Sequence, residues 1–165
     1  MGIHCGYCPA LNFAFEDFTL DFWIKPYSYE NLVASVIGTG QVSWQAGCCT
    51  VVLSPQGSIR LGTNTYGDIV ISPDGAVALN VYTHVRFARA SGVFKIFING
   101  VFSASAYVSA NVSLNTYGTW IGQNGWDAKK GYFDGEIKDL RAVKGYAIPD
   151  SPFDPNVPAV LPLLF

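Results

Sequence analysis

Charge is what this sequence is shortest of. Asp, Glu, Lys and Arg make up 13% of its 165 residues, the net charge is −2, and the ten basic residues are scattered, with Lys129-Lys130 their single adjacent pair. Gripping a phosphate backbone takes clustered basic side chains, so a nucleic-acid partner is excluded. Long apolar runs are also missing. None approaches the roughly 20 residues that a helix needs to cross a bilayer, so membrane insertion is not expected. The opening residues, MGIHCGYCPALNF, lack a basic start followed by an apolar stretch, and Gly6 stands where a myristoylation start needs Ser or Thr. The chain is therefore expected to be made in the cytosol without a secretion signal. No segment keeps a helical period over helical length, and no repeat of about 20–50 residues is present.

Cysteine is sparse and poorly spaced for chemistry. Cys5-x-x-Cys8 is half of a zinc knuckle, but the other pair is the adjacent Cys48-Cys49, whose side chains on a strand point to opposite faces. A metal would need His4 as a further ligand; buried or free thiols are the simpler reading, and no metal is assigned. A thioredoxin-like role needs a strand-to-helix turn, which the pattern does not provide.

Apolar and aromatic residues are abundant, at 50% and 15% of the chain. At this length they fill one core and leave no room for a second domain. A surface this aromatic and this weakly charged also favours self-association, so a homo-oligomer is expected.

Residues 81–102, VYTHVRFARASGVFKIFINGVF, carry the plainest pattern. Val85 and Phe87 alternate with Arg86 and Ala88 up to a break at Ser91-Gly92. Phe94, Ile96 and Ile98 then alternate with Val93, Lys95 and Phe97 up to the hairpin turn Asn99-Gly100. In residues 18–25, Phe18, Leu20, Phe22 and Ile24 share one face and Thr19, Asp21, Trp23 and Lys25 the other, and Pro26 ends the ladder. Further short strands are expected at 32–37, 42–44, 48–53, 58–61, 68–71, 104–108, 119–122 and 132–143. The last of these slips its alternation at Lys138-Asp139-Leu140, as a β-bulge does. Residues 109–118 read as a polar connection and 122–131 as a Gly-rich surface loop. Trp23, Trp44 and Trp120, being strand residues, are expected in the core or between sheets. Many short strands separated by Gly and Pro turns make an all-β sandwich or barrel.

Three blocks read together, FTLDFWIKP, YTHVRFARASGVFKIFINGV and GYFDGEIKDLRAVKGYAI, resemble the concanavalin A-like lectin/glucanase superfamily. They are most similar to the laminin-G-like jelly-roll domains common in bacteriophage structural proteins. The resemblance covers about residues 11–155, and the closing Arg141-Ala142-Val143-Lys144-Gly145-Tyr146 is particularly similar to the phage versions. It implies an all-β, two-sheet antiparallel jelly-roll β-sandwich at 11–147, with an N-terminal tail at 1–10 and an apolar, proline-rich tail at 148–165. A tail that cannot be sheet or helix has to be covered. It also implies a virion structural or decoration protein, on capsid or tail, with other virion subunits and cell-surface glycans as partners. Leu161, Leu163, Leu164 and Phe165 are then the assembly contact, with residues 1–9 as a second anchor. A carbohydrate-binding adhesion module is the alternative.

Catalysis is not expected. The glycanase branch carries carboxylates as E-x-D-x-x-E, and neither Glu16, Asp17 and Asp21 nor Asp134, Glu136 and Asp139 has that spacing; solvated strand-edge carboxylates are the expectation. G-x-S-x-G is absent, and His84 falls at a position the resemblance makes structural. Calcium is left open by the resemblance, with Asn124, Asp127 and Asp134 as oxygen donors, but there is no dense D-x-D-x-D loop, and no cofactor is assigned. Sugar binding wants an exposed aromatic flanked by amides or carboxylates. Gln123, Asn124, Trp126, Asp127 and Tyr132 are the expected ligand site, with Trp126 also able to fold down over the core.

Overall fold

The structure is a computed structural model that describes residues 2–29, 34–39, 49–63, 67–114, 118–123, 131–147 and 154–156. Among them are thirteen strands: β1 Ile3–His4, β2 Asn12–Ala14, β3 Phe18–Pro26, β4 Ala34–Thr39, β5 Cys49–Leu53, β6 Ile59–Thr63, β7 Gly67–Ile71, β8 Thr83–Ala90, β9 Val93–Ile98, β10 Val101–Tyr107, β11 Val112–Ser113, β12 Thr119–Ile121 and β13 Gly135–Lys144. A 3-10 turn, Pro9–Leu11, precedes β2. The strands form a six-stranded sheet in the order β1-β12-β4-β5-β6-β7, a five-stranded sheet in the order β10-β9-β8-β3-β13, and the short pair β11-β2. This is the jelly-roll sandwich.

Alternation decides which way β3 faces. Phe18, Leu20, Phe22 and Ile24 enter the core with no residual exposure, where they join Val85 and Phe87 of β8, Phe94 and Ile96 of β9, and Ile37, Val51, Leu53, Ile59 and Leu61 of the six-stranded sheet. Burying one such side chain is worth about 1.5–3 kcal/mol, so a one-residue slip of β3 would forfeit roughly 6–12 kcal/mol across these four residues. The other face of β3 is thereby committed to the outside of the sheet.

The β8-β9-β10 meander is closed by two two-residue turns. Ser91 and Gly92 have φ of 49° and 81°, and Asn99 and Gly100 have 50° and 80°. Positive φ at both central positions is the type I′ geometry that matches strand twist. Asn99 suits its place, whereas Ser91 does not, since a non-glycine residue in the left-handed region is strained and Asn tolerates it best. The Ser91 backbone N–H, which donates to Asp17 Oδ1 at 2.8 Å, survives any substitution except proline. Ser91→Asn is therefore expected to stabilise the protein by about 0.5–1 kcal/mol, seen as a higher urea midpoint at unchanged m-value.

Three departures from the sequence pattern have local causes. Residues 109–118 hold strand β11, which pairs with β2. Arg89, only 4% exposed, fixes that pair to the end of β8 by donating from Nη1 to the carbonyls of Ala14 and Ala110 at 3.1 and 3.0 Å. Ile3–His4, within the expected N-terminal tail, adds a strand to β12. The strand expected at 104–108 is the continuation of β10 past a bulge between Phe102 and Ala104.

Candidate functional site

The outer face of the five-stranded sheet carries an organised cluster of charged and aromatic side chains. β3 is an interior strand, hydrogen-bonded to β8 on one side and β13 on the other, so its outward residues acquire neighbours from both. Register lays these out in rows. Asp21 lies between Arg86 and Arg141, Trp23 between His84 and Lys138, and Lys25 beside Glu136. The bulge in β13, with Asp139 at φ 54°, makes the first row possible. Without its extra residue, Leu140 would stand opposite Asp21, and Arg141 would be driven toward the core beside Leu20.

Asp21 is the hub. Its Oδ1 accepts from Arg141 Nη2 at 2.7 Å and Nε at 3.1 Å, and from His84 Nε2 at 3.3 Å, while Arg86 Nε lies 3.7 Å from Oδ2. The side chains of Asp21, His84 and Arg86 are 3%, 0% and 3% exposed, and that of Arg141 is 38% exposed. Burial alone would raise the Asp21 pKa, but the His84 hydrogen bond and the charges of Arg141 and Arg86 outweigh it and hold the carboxyl below its ordinary value. Burial likewise draws the Arg86 pKa down, with Asp21 opposing.

Trp23 sets its ring edge-on to His84, with centroids 5.2 Å apart. The Lys138 ammonium lies 5.8 Å from the Trp23 ring and 3.9 Å from that of Tyr82, a cation–π bridge between the two aromatics. Beyond it, Glu136 accepts from the hydroxyls of Tyr27 and Tyr82 and pairs with Lys25 at 3.5 Å. The Tyr27 and Tyr82 hydrogen bonds draw its pKa down to about 2. Trp23, the β13 residues 138–141, and Pro155 and Asn156 line a pocket of about 550 Å³, within the usual range for small-ligand sites.

Two sequence expectations need correcting here. Asp21 is not a solvated edge carboxylate, because β3 is flanked on both sides and the carboxylate is enclosed by its partners. Trp23 is half-buried on the outer face, not in the core, and Trp120, also half-buried, stacks on His4 at 4.5 Å. His84 is structural as expected, buried and bonded to Asp21. Of the expected rim site, Gln123 is 9% exposed, its Oε1 accepting from the Gly2 N–H at 3.1 Å, and Tyr132 is 38% exposed. Asn124, Trp126 and Asp127 lie outside the described residues, as do Leu161, Leu163, Leu164 and Phe165.

A laminin-G-type family model, described as the concanavalin A-like lectin/glucanases superfamily, matches residues 7–147. The chain belongs to this superfamily. No curated protein matches the sequence. Among solved structures, domain 4 of an extracellular GH43 arabinanase from Geobacillus stearothermophilus, in complex with arabinotriose, is similar at 22% identity and a TM-score of 0.63, covering 90% of this chain and 68% of that one. The CBM40 of a Ruminococcus gnavus IT-sialidase, bound to α2,3-sialyllactose, is similar at 18% identity and a TM-score of 0.65, covering 90% and 92%. A heptameric SAP-like pentraxin from Limulus polyphemus is similar at 18% identity and a TM-score of 0.59, covering 83% and 67%. At these identities the likeness is one of fold.

Proposed function

We propose that this concanavalin A-like domain is a non-enzymatic glycan-binding module that takes its ligand on the outer face of the five-stranded sheet, in the Trp23 pocket. The pocket itself carries the reading, because a half-buried indole is surrounded there by polar groups held in place by their own partners. A sugar ring offers an apolar C–H face to an aromatic surface and hydroxyls to charged neighbours. Structures of this fold described with bound oligosaccharides, arabinotriose and sialyllactose among them, support the reading.

Asp21 and Glu136 do not suit the general-acid role of a hydrolase. A glycosidase needs a general acid whose pKa is raised toward neutrality. Asp21 lies below its ordinary value and Glu136 lies at about 2, so both are ionised at neutral pH. His84, fully buried, cannot reach a substrate.

A glycan array followed by titration calorimetry tests the site. Trp23→Ala is expected to weaken binding at least tenfold, about 1.4 kcal/mol, with unchanged far-ultraviolet circular dichroism. Binding that survives Trp23→Ala and is lost in Trp126→Ala would move the ligand to the rim loop of Gln123, Asn124, Trp126, Asp127 and Tyr132. A blank array overturns the glycan reading. The same module mounted on a virion is the second reading. It is supported by the likeness of Arg141–Tyr146 to phage structural domains and by the apolar chain end, with Leu161, Leu163, Leu164 and Phe165 as the anchor.

A further inference from the structure

The outer face of the five-stranded sheet is buried well beyond the Asp21 cluster. Register continues the row of Asp21 and Arg86 to Phe97 on β9, and sets Ala88 on the same face beside Thr19. Phe97 and Ala88 are 1% and 2% exposed, yet neither belongs to the core cluster between the sheets. Arg86 and His84 beside them are 2% and 0% exposed. Side chains stand perpendicular to a sheet, so strand neighbours flank a phenylalanine and leave its tip bare. A phenylalanine buried this completely on an outer face has something lying over it. The cover ends at β10, where Phe102, packed edge-on to Phe97 at 6.0 Å, is 55% exposed.

The path of the chain indicates what the cover is. Past β13, the Tyr146 carbonyl accepts from Thr19 Oγ1 at 3.2 Å, and Pro155 and Asn156 line the pocket of Trp23, so the chain is held to this face at two places. The nine residues that follow, VPAVLPLLF at 157–165, are apolar throughout. Nine residues reach up to about 30 Å, whereas β9 lies only about 10 Å across the strands from β3. The other stretches outside the described residues belong elsewhere. Met1 adjoins β1, and 30–33, 40–48, 64–66 and 115–117 lead into β4, β5, β7 and β12, all in the six-stranded sheet. Residues 124–130 return to that sheet at Gly131, whose carbonyl accepts from the Ser35 N–H at 3.3 Å.

We propose that residues 157–165 dock on the outer face of their own domain's five-stranded sheet, running from the Trp23 pocket across β8 to β9 and covering Arg86, Ala88 and Phe97. Pro158 and Pro162 suit this course, because a segment that lacks N–H groups lies over a sheet face more readily than it adds to an edge. An apolar strap above Arg86 also keeps water from its pairing with Asp21, which strengthens the attraction between the two charges. Leu161, Leu163, Leu164 and Phe165 then serve their own domain in place of the anchoring role that the virion reading gives them. The docking does not depend on the glycan reading.

Nuclear Overhauser effects in the full chain, edited for carbon-13 on both partners, test the docking directly. Cross-peaks are expected between the methyls of Leu161, Leu163 or Leu164 and the Phe97 ring or Ala88 methyl. They should keep their intensity per labelled chain after tenfold dilution with unlabelled protein. Cross-peaks that vanish on dilution would give the face to a neighbouring copy, and their absence from the undiluted sample would give it to another cover; either result overturns the proposal. Arginine modification by phenylglyoxal, mapped by mass spectrometry, adds a second measurement. In the full chain carrying Leu161→Ser, Leu163→Ser, Leu164→Ser and Phe165→Ser together, Arg86 should react at least tenfold faster than in the native protein. Arg89, 4% exposed and held by the carbonyls of Ala14 and Ala110, should stay protected and so reports an intact fold. An unchanged Arg86 rate with Arg89 protected overturns the proposal, and if Arg89 reacts as well, the native cross-peaks decide.

Discussion

Asp21→Asn is expected to destabilise the domain by about 3–5 kcal/mol, the range for removing one partner of a buried ion pair and leaving the other behind. The carboxylate removed is 3% exposed and serves three groups at once: Arg86, 3% exposed, lies 3.7 Å from it, and Arg141 and His84 donate to it. Urea unfolding measures the loss. Arg141→Ala should cost distinctly less, since its side chain is 38% exposed and solvent screens the pair. The same carboxylate gives a pH signature. Its folded-state pKa is depressed, so its contribution is fully present above the unfolded value of about 3.9 and is lost as pH falls through the lower folded value. Stability of the native protein should bend downward below about pH 4, and Asp21→Asn should remove that share of the bend. A variant as stable as the native chain, with the acid bend intact, would show that the cluster contributes nothing to the fold.

Gly135→Ala has a comparable expected effect with a steric cause. A Cβ there would stand 2.3 Å from the carbonyl oxygen of Lys25 and 2.8 Å from Cα of Pro26, both backbone atoms of β3 that cannot rotate away. Either β13 moves off β3 at its first pair, Gly135 with Pro26, or the strain is held. The cost is about 3 kcal/mol, which for a domain of this size lowers the melting temperature by roughly 6–12 °C. Because Trp23 is paired with Lys138 a few residues along the same ladder, glycan affinity should fall as well. A melting temperature within a degree of the native value would refute the clash.

These two residues mark the limit of what could be read from the chain beforehand. Gly135 stands in the block Phe133-Asp134-Gly135-Glu136-Ile137, and the resemblance singled that block out, although the backbone contact that requires glycine was invisible. Strands β3, β8, β9 and β13 were legible because their apolar residues alternate and their turns carry Asn99-Gly100 and Ser91-Gly92. The slip at Lys138 to Leu140 was legible for the same reason, and the bulge is there. Strand order was not, and the candidate site is a product of order. Asp21, Arg86 and Arg141 come from three separate blocks and meet only because β3 is seated between β8 and β13. Reading Trp23 as core gave its aromatic character more weight than its place in the alternation, which already grouped it with Thr19, Asp21 and Lys25. A signal was present: four polar or amphipathic residues interleaved with four fully apolar ones imply an outer face with work to do. The rim loop drew attention through Trp126, a large aromatic among glycines, at a position outside the described residues.

The Asp21–Arg141 contact joins residues 120 apart in the chain, whereas β8, β9 and β10 are joined by turns of two residues. Local hairpins close in microseconds, while a contact across so long a span must first pay for closing the loop. As the chain leaves the ribosome, the meander has its partners almost at once, but β3 waits for β13, which is made after the meander. The outer-face cluster is thus completed after the meander, and a chain cut short before residue 135 would lack the β13 wall of the Trp23 pocket.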